Sequence, residues 1–356
     1  IEETLDFDFP IVPITNQMGT LELFQGPTLA FKDVGARFMA RCLGYFNKEN
    51  TSQKITVLVA TSGDTGGAVA NGFLGVPGIE VVILYPKGKV SEVQEQQLTT
   101  LGQNITALEV DGVFDDCQDM VKTAFLDEEI TKHKQLTSAN SINVGRWLPQ
   151  MFYYFIAYRA LKKINKRLVV SVPSGNFGNI CAGLMAREIG LPIDHFIAST
   201  NINDVVPDFL SSGIYTPKKS SPTITNAMDV GDPSNFIRIL KIFGGDIDSL
   251  KETLSGYRFT DDKTREALKE IHEISGYVAD PHGAVGYLGL KEYLKDHPEK
   301  YGIFLETAHP VKFLDTVEDT LNIKVDIPER LKETLSKTKE SIEIQDYQGL
   351  KNFLLR

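Results

Sequence analysis

The stretch GPTLAFKDVGARFMARC, residues 26–42, places a single lysine, Lys32, just inside the start of a predicted helix. Phe31, Val34, Phe38, Cys42 and Leu43 recur at helical spacing, so they should form a buried stripe with Lys32 at its edge. A lysine drawn out of water gives up its proton more readily and becomes a nucleophile. The competing structural reading is a lysine that snorkels toward solvent beside Asp33.

Two further stretches carry donors for an anion. ATSGDTGGAVA (60–70) follows an apolar run ending at Val59, and SVPSGNFGNICAG (171–183) follows another over 168–172. A glycine-rich turn between a strand and a helix aims successive N–H groups at one spot, where the helix dipole adds partial positive charge. Neither turn is GxGxxG with the spaced acidic residue of a dinucleotide site, and GxxxxGK[ST] does not occur, so NAD and nucleoside triphosphates lack their fingerprints. One amine and two anion cradles suit pyridoxal phosphate with an anionic substrate: the aldehyde needs a lysine and the phosphate needs N–H donors.

The elements that must position these groups alternate. ITVLVAT (55–61), VVILYP (81–86), ITALEV (105–110) and the run at 168–172 read as strands. Between them lie the helical stretches GGAVANGFL, SEVQEQQLTTLG and FDDCQDMVKTAFLDEEI, and a long amphipathic stretch covers 147–164. Near-continuous apolar strands separated by helices predict an α/β fold of parallel sheets covered on both faces. Residues 211–235 lack a period and read as a long loop; 329–356 read as a charged helical tail.

With 356 residues, the chain should form about two domains. The net charge of −10 argues against nucleic acid as a partner and offers no polybasic patch to a membrane; no apolar run approaches the ~18 residues a spanning helix needs. The three cysteines, Cys42, Cys117 and Cys181, are far apart and in no CxxC pair, which suits reduced thiols in a cytoplasmic compartment. The six histidines show no HxxxH or HExxH spacing, so a metal site has no support.

The segments LAFKDVGARFM, ATSGDTGGA, LYPKGKVSEVQ, TSANSINVGRW, PSGNFGN, DPHGAVG and ETAHPVKF occur here in the order found in threonine synthases, and over this span the sequence resembles the bacterial and fungal branch of that family. The resemblance implies the tryptophan-synthase-β-like fold of pyridoxal-phosphate enzymes: two α/β domains with mainly parallel sheets and the cofactor in the cleft between them. Residues 1–45 and 146–356 would form the larger, cofactor-binding domain and 46–145 the smaller. Members of the branch begin well upstream of the lysine, so an N-terminal segment is expected before Ile1.

By the same resemblance Lys32 is the Schiff-base lysine. Gly175, Asn176, Phe177, Gly178 and Asn179 grip the cofactor phosphate, Thr307 meets the pyridine nitrogen, and Asp64 lies near the 3′ oxygen. Thr61, Ser62 and Thr65 cradle the substrate carboxylate, and Asn140, Ser141 and Arg146 hold the substrate phosphate. A hydroxyl at 307 cannot hold a full positive charge on the ring nitrogen, which makes the ring a milder electron sink. His282, His309 and Lys312 suit packing or support as well as chemistry, and Lys87 and Lys89 read as solvated loop lysines.

The implied activity converts the small molecule O-phospho-L-homoserine and water to L-threonine and phosphate, in a monomer or homodimer. A serine or threonine dehydratase shares the lysine and the glycine turns but has no γ-phosphate to bind, so NSINVGR discriminates against it. A related phospho-lyase that releases a keto acid, and a binding protein without turnover, remain alternatives.

Overall fold

The structure is a computed structural model and describes residues 1–48 and 54–356. Its contacts divide the chain into two units, Ile1–Asp6 with Gly26–Arg146 and Ile327–Arg356, and Phe7–Gln25 with Trp147–Asp326.

In the first unit, β3 (Ile55–Ala60), β4 (Ile79–Pro86), β5 (Ile105–Val110), β6 (Gln135–Ser138) and β11 (Ile342–Ile344) form a parallel sheet in the order β11-β5-β4-β3-β6. Every residue of β3 is buried, as an apolar strand covered on both faces requires. Helices α1 (Lys32–Phe46), α2 (Asp64–Phe73), α3 (Glu92–Thr99) and α4 (Phe114–Leu126) cover the faces. Ala36, Met39 and Ala40 of α1 join one core with Val57, Val59, Ala68 and Ile83, while Cys117, Val121 and Ala124 of α4 join another with Leu58, Leu84 and Leu108.

The second unit has a six-stranded sheet, β1-β2-β10-β7-β8-β9, from β1 (Ile11–Pro13), β2 (Met18–Glu22), β7 (Leu168–Pro173), β8 (His195–Thr200), β9 (Leu254–Arg258) and β10 (Tyr301–Glu306). Only the β1–β2 pairing is antiparallel. The helix Pro281–Asp296 packs Ala284, Tyr287 and Leu290 against Val169, Ile197 and Phe304 of this sheet.

The α/β class and the named strands agree with the sequence reading. Several details differ, each because packing decided what periodicity left open. The buried face of α1 is Asp33, Val34, Gly35, Ala36, Met39 and Ala40; Phe31, Phe38, Cys42 and Leu43 are only partly covered. Small residues let α1 lie close on α2, which puts it in the first unit and not with Trp147–Asp326. The C-terminal tail joins the first unit too: it is not one helix but a helix (Glu329–Leu335), strand β11 on the edge beside β5, and a helix (Tyr347–Leu354). The helical stretch from Phe114 breaks at Asp127, whose carboxylate accepts the Glu129 N–H at 2.9 Å and so caps a second helix, Glu128–His133.

Candidate active site

Lys32 is the first residue of α1 and is half-buried, with Nζ 5.7 Å from the centroid of the Phe31 ring. That position sets the side chain where the helix dipole works against a positive charge. Asp33 is fully buried, and its carboxylate turns back to accept the Thr28 N–H at 2.9 Å and the Thr28 hydroxyl at 2.6 Å. These bonds fix the entry into the helix and with it the start of the Lys32 side chain.

The turn 61–65 closes β3 and opens α2. The Thr61 oxygen accepts the N–H groups of Gly63 and Gly66 at 2.9 and 2.8 Å, which curls the loop. Gly63 has φ 133°, a conformation that demands glycine, and a side chain there would collide with Gln94. Gln94 is a residue the sequence reading missed. It completes the capping box of α3 with Ser91 and donates to Asp64 at 3.0 Å, tying the loop to the neighbouring helix. Asp64 is thereby held buried at the first position of α2, while Ser62 and Thr65 are half-buried.

The turn after β6 is joined to both of these elements. Asn140 makes two bonds to the end of β3, donating to the Ala60 carbonyl at 2.6 Å and accepting the Ala60 N–H at 3.1 Å. Asn143 donates to the Ser138 carbonyl at 3.0 Å and accepts the Gly145 N–H at 3.0 Å, and Ser141 is half-buried on the resulting turn. Arg146 donates to the Ala139 carbonyl and is only 3% exposed. Burial lowers its pKa to about 10, with the Asp33 carboxylate acting in the opposite sense, so the guanidinium remains charged at neutral pH. Gly35 leaves room for the Arg146 carbonyl against α1, one turn beyond Lys32. The first unit therefore gathers Lys32, Thr61–Thr65 and Asn140–Arg146 around the ends of β3 and β6.

The second unit holds Gly175–Asn179 and Thr307. Phe177 adopts the left-handed φ of 60° and precedes the helix Gly178–Glu188, whose first N–H groups have no partner within the helix. Asn179 in that first turn accepts the hydroxyls of Tyr153 and Tyr154 at 2.6 and 2.7 Å on Oδ1. Burial holds both phenols well above their ordinary pKa, so they serve as neutral donors. Its buried Nδ2 has no acceptor among the described residues. Asn176 Oδ1 accepts the Ser234 N–H and hydroxyl, both at 2.8 Å, and its carbonyl accepts Asn235 Nδ2 at 2.9 Å. Gly175 lies against the backbone of Ala227 and Met228. These bracing residues were not legible in sequence, since the tyrosines and the 225–235 segment lie far from the loop along the chain.

Thr307 is buried just beyond β10. The carboxylate of Asp280 accepts the next N–H, that of Ala308, at 3.4 Å and the His282 ring at 2.7 Å; His282 Nε2 in turn accepts the Ala227 N–H at 3.3 Å. That pair of bonds assigns the imidazole proton to Nδ1 and makes His282 a link between the Thr307 turn and the segment behind Gly175. His309 Nδ1 accepts the Val311 N–H at 3.1 Å and caps the turn Pro310–Phe313, in which Lys312 is fully buried.

Residues 20–305 match the family described as pyridoxal-phosphate dependent enzyme, and residues 283–354 match that described as threonine synthase, C-terminal. Threonine synthase of Buchnera aphidicola from Acyrthosiphon pisum is 47% identical over all of this chain and 82% of its own length. The chain belongs to the threonine synthases. The crystal structure of the Escherichia coli family member superposes with a TM-score of 0.93 at 45% identity, covering 100% of this chain and 82% of that one. The pyridoxal-phosphate-bound family member from Brucella melitensis gives 0.89 at 34% identity, covering 97% and 80%.

As in the family, the cofactor is pyridoxal phosphate, and the second unit's loop fits its phosphate: a buried amide nitrogen with no acceptor among the described residues, helix-start N–H groups and no acidic residue in the first turn. No helix among the described residues is long and apolar enough to cross a membrane.

Proposed function

We propose that the chain converts O-phospho-L-homoserine and water to L-threonine and phosphate by a β,γ-replacement. The observation that carries this reading is the relation to threonine synthases along the entire chain, 47% identity over 358 aligned residues. When bound, pyridoxal phosphate supplies a sink for the electron pair released at Cα.

Gly175–Asn179 hold the cofactor phosphate through N–H donors and the Asn179 amide, and Thr307 offers the ring nitrogen a neutral hydroxyl. Asp64 serves the 3′ oxygen, where its bond to Gln94 at 3.0 Å fixes its orientation. The N–H groups of the turn 61–65, with Ser62 and Thr65, hold the substrate carboxylate. Ser141 and the turn from Asn140 hold the substrate phosphate, with the Arg146 charge behind them. Lys32 would hold the cofactor through its amine until the substrate amine binds. Its freed amine then removes the Cα proton and a Cβ proton, two positions one bond apart. The Cγ–O bond breaks and phosphate departs with the bonding pair, stabilised by the Arg146 cation. A proton returns at Cγ, the hydroxyl of water adds at Cβ while the departed phosphate takes up the water's remaining proton, and Cα is reprotonated.

The free state of Cys42, Cys117 and Cys181 supports work in the cytoplasm. Nucleic acid has no part in the reaction, and a monomer or a homodimer satisfies it. Phosphorus and proton NMR of the holoenzyme with phosphohomoserine should show threonine and phosphate in equal amounts. A keto acid with phosphate would instead make the chain a phospho-lyase. Turnover of serine with none of phosphohomoserine would make it a dehydratase.

A further inference from the structure

Glu306 ends β10, immediately before Thr307, and is fully buried. Its Oε1 accepts the Asp280 N–H, while Oε2 has no partner among the described residues and is packed so closely on the helix start that any side chain at Gly283 would collide with it. Asp280 faces it as a second acid. Its oxygens already accept N–H groups from His282, Gly283 and Ala308, and the His282 ring as well. From β2 comes a third acid, Glu22, which accepts the Tyr277 hydroxyl at 3.0 Å and Gln25 Nε2 at 2.7 Å. The next turn brings the fully buried Lys312. Glu306 and Asp280 are joined through the Asp280 N–H bond and are both fully buried, and two neighbouring carboxylates in a dry site cannot both hold a negative charge. Of the two, Asp280 is the one surrounded by donors.

We propose that Glu306 is a neutral carboxylic acid held beside Asp280, and that this pair is the positioning device for Thr307. Asp280 holds the Ala308 N–H from one side and the Glu306 carbonyl accepts the Leu23 N–H at 2.9 Å from the other, so the backbone on both sides of Thr307 is fixed through these two residues. A second negative charge here would push Asp280 off Ala308 and release the turn. Burial, followed by the charges of Asp280 and Glu22, keeps the Glu306 carboxyl well above its ordinary value of 4.5. The assignment of Thr307 to the cofactor ring comes from the proposed function, and the proton on Glu306 stands apart from it.

The test has two independent arms. In the first, infrared spectra of the holoenzyme at pH 8 should contain the carbonyl stretch of a buried protonated carboxyl that Glu306→Gln removes. A folded-state pKa raised above 4.5 means that folding takes up a proton, so stability is full below 4.5 and is lost as pH rises. Melting of Glu306→Gln should therefore gain on the parent steadily from pH 5 to 8. No such band, or a difference that shrinks over that range, overturns the proton assignment. If Glu306→Gln does not fold, Asp280→Asn replaces it, and the parent's band must then shift; an unmoved band overturns the pairing.

In the second arm, Glu306→Gln should bind pyridoxal phosphate within about threefold of the parent, and Asp280→Ala more than about tenfold more weakly, with a shifted cofactor absorption. Equal binding by both variants overturns the positioning role. Thr307→Ala separates the two ideas: an unshifted spectrum there defeats the assignment of Thr307 and leaves the infrared result standing.

Discussion

In the first unit a parallel strand, β3, passes through Thr61–Gly63 into α2, and in the second β7 passes through Ser174–Phe177 into the helix Gly178–Glu188. The topology is the same, yet the first turn is closed on itself. The Thr61 oxygen takes two of its N–H groups, and an acidic residue, Asp64, occupies the helix start beneath Gln94. The second turn is braced from outside, by Tyr153, Tyr154, Ser234 and Asn235, and keeps the Asn179 amide nitrogen without an acceptor among the described residues and its helix start without an acid. A strand–turn–helix unit becomes a phosphate cradle when its donors are left over and its helix start carries no negative charge. An acid at the helix start, Asp64, makes the first turn a poor dianion site.

The strongest break of this comparison separates chemistry from grip. Lys32→Ala should abolish the visible band of the lysine-bound cofactor and lower turnover by more than about 10⁴-fold, the upper range for loss of an acid–base group, while leaving the second unit's grip on the cofactor phosphate intact. Absorbance and a cofactor titration read both. Multiple turnovers by the variant would remove Lys32 from its role.

Next in size is Arg146, which belongs to the first unit and to neither glycine turn. Arg146→Ala should lower kcat/KM for phosphohomoserine by roughly two to three powers of ten and leave residual activity on serine almost unchanged. Because the guanidinium also satisfies the Ala139 carbonyl, the variant should lose about 1–3 kcal/mol in urea melts. Lysine should restore charge but only part of the activity, since it lacks the planar fork. Equal loss on serine and phosphohomoserine would make Arg146 a structural residue alone.

A direct exchange of the two turns' characters follows. Asn179→Asp keeps the oxygen acceptor for the tyrosines and adds charge to the cradle, so affinity for pyridoxal phosphate should fall by about tenfold or more. Asp64→Asn, the reciprocal change, should alter it less than about threefold. If the two variants weakened the cofactor equally, the contrast between the turns would be without functional meaning.

The smallest effect concerns the brace behind Gly175. Asp229 accepts Asn201, Asn203 and Thr223 two residues beyond Ala227, and burial raises its carboxyl to about 6 from 3.8. Folding therefore takes up a proton there. Its stabilisation is full below pH 3.8, declines between 3.8 and about 6, and is constant above. Melting of Asp229→Asn should gain on the parent across that window and run parallel to it above pH 6. A difference independent of pH would show that Asp229 titrates at its ordinary value.

The sequence by itself determined the candidate groups and the local geometry they need: the lysine at a helix start, glycine turns after apolar strands, and strands buried on both faces. Each depends on neighbours within a few residues, through helix capping, positive φ or a two- or four-residue period, and local spacing records such constraints. Which elements lie side by side was decided by tertiary packing. Whether α1 rests on α2, whether the C-terminal tail adds β11 beside β5, and which side chains brace each turn depend on close approach between residues tens to hundreds of positions apart. Gln94 beneath Asp64, Tyr153 and Tyr154 on Asn179, and Asp280 against Glu306 are such pairs. Their residue types recur all along the chain, and only burial, which makes an unpaired polar group costly, selects the partners that must meet.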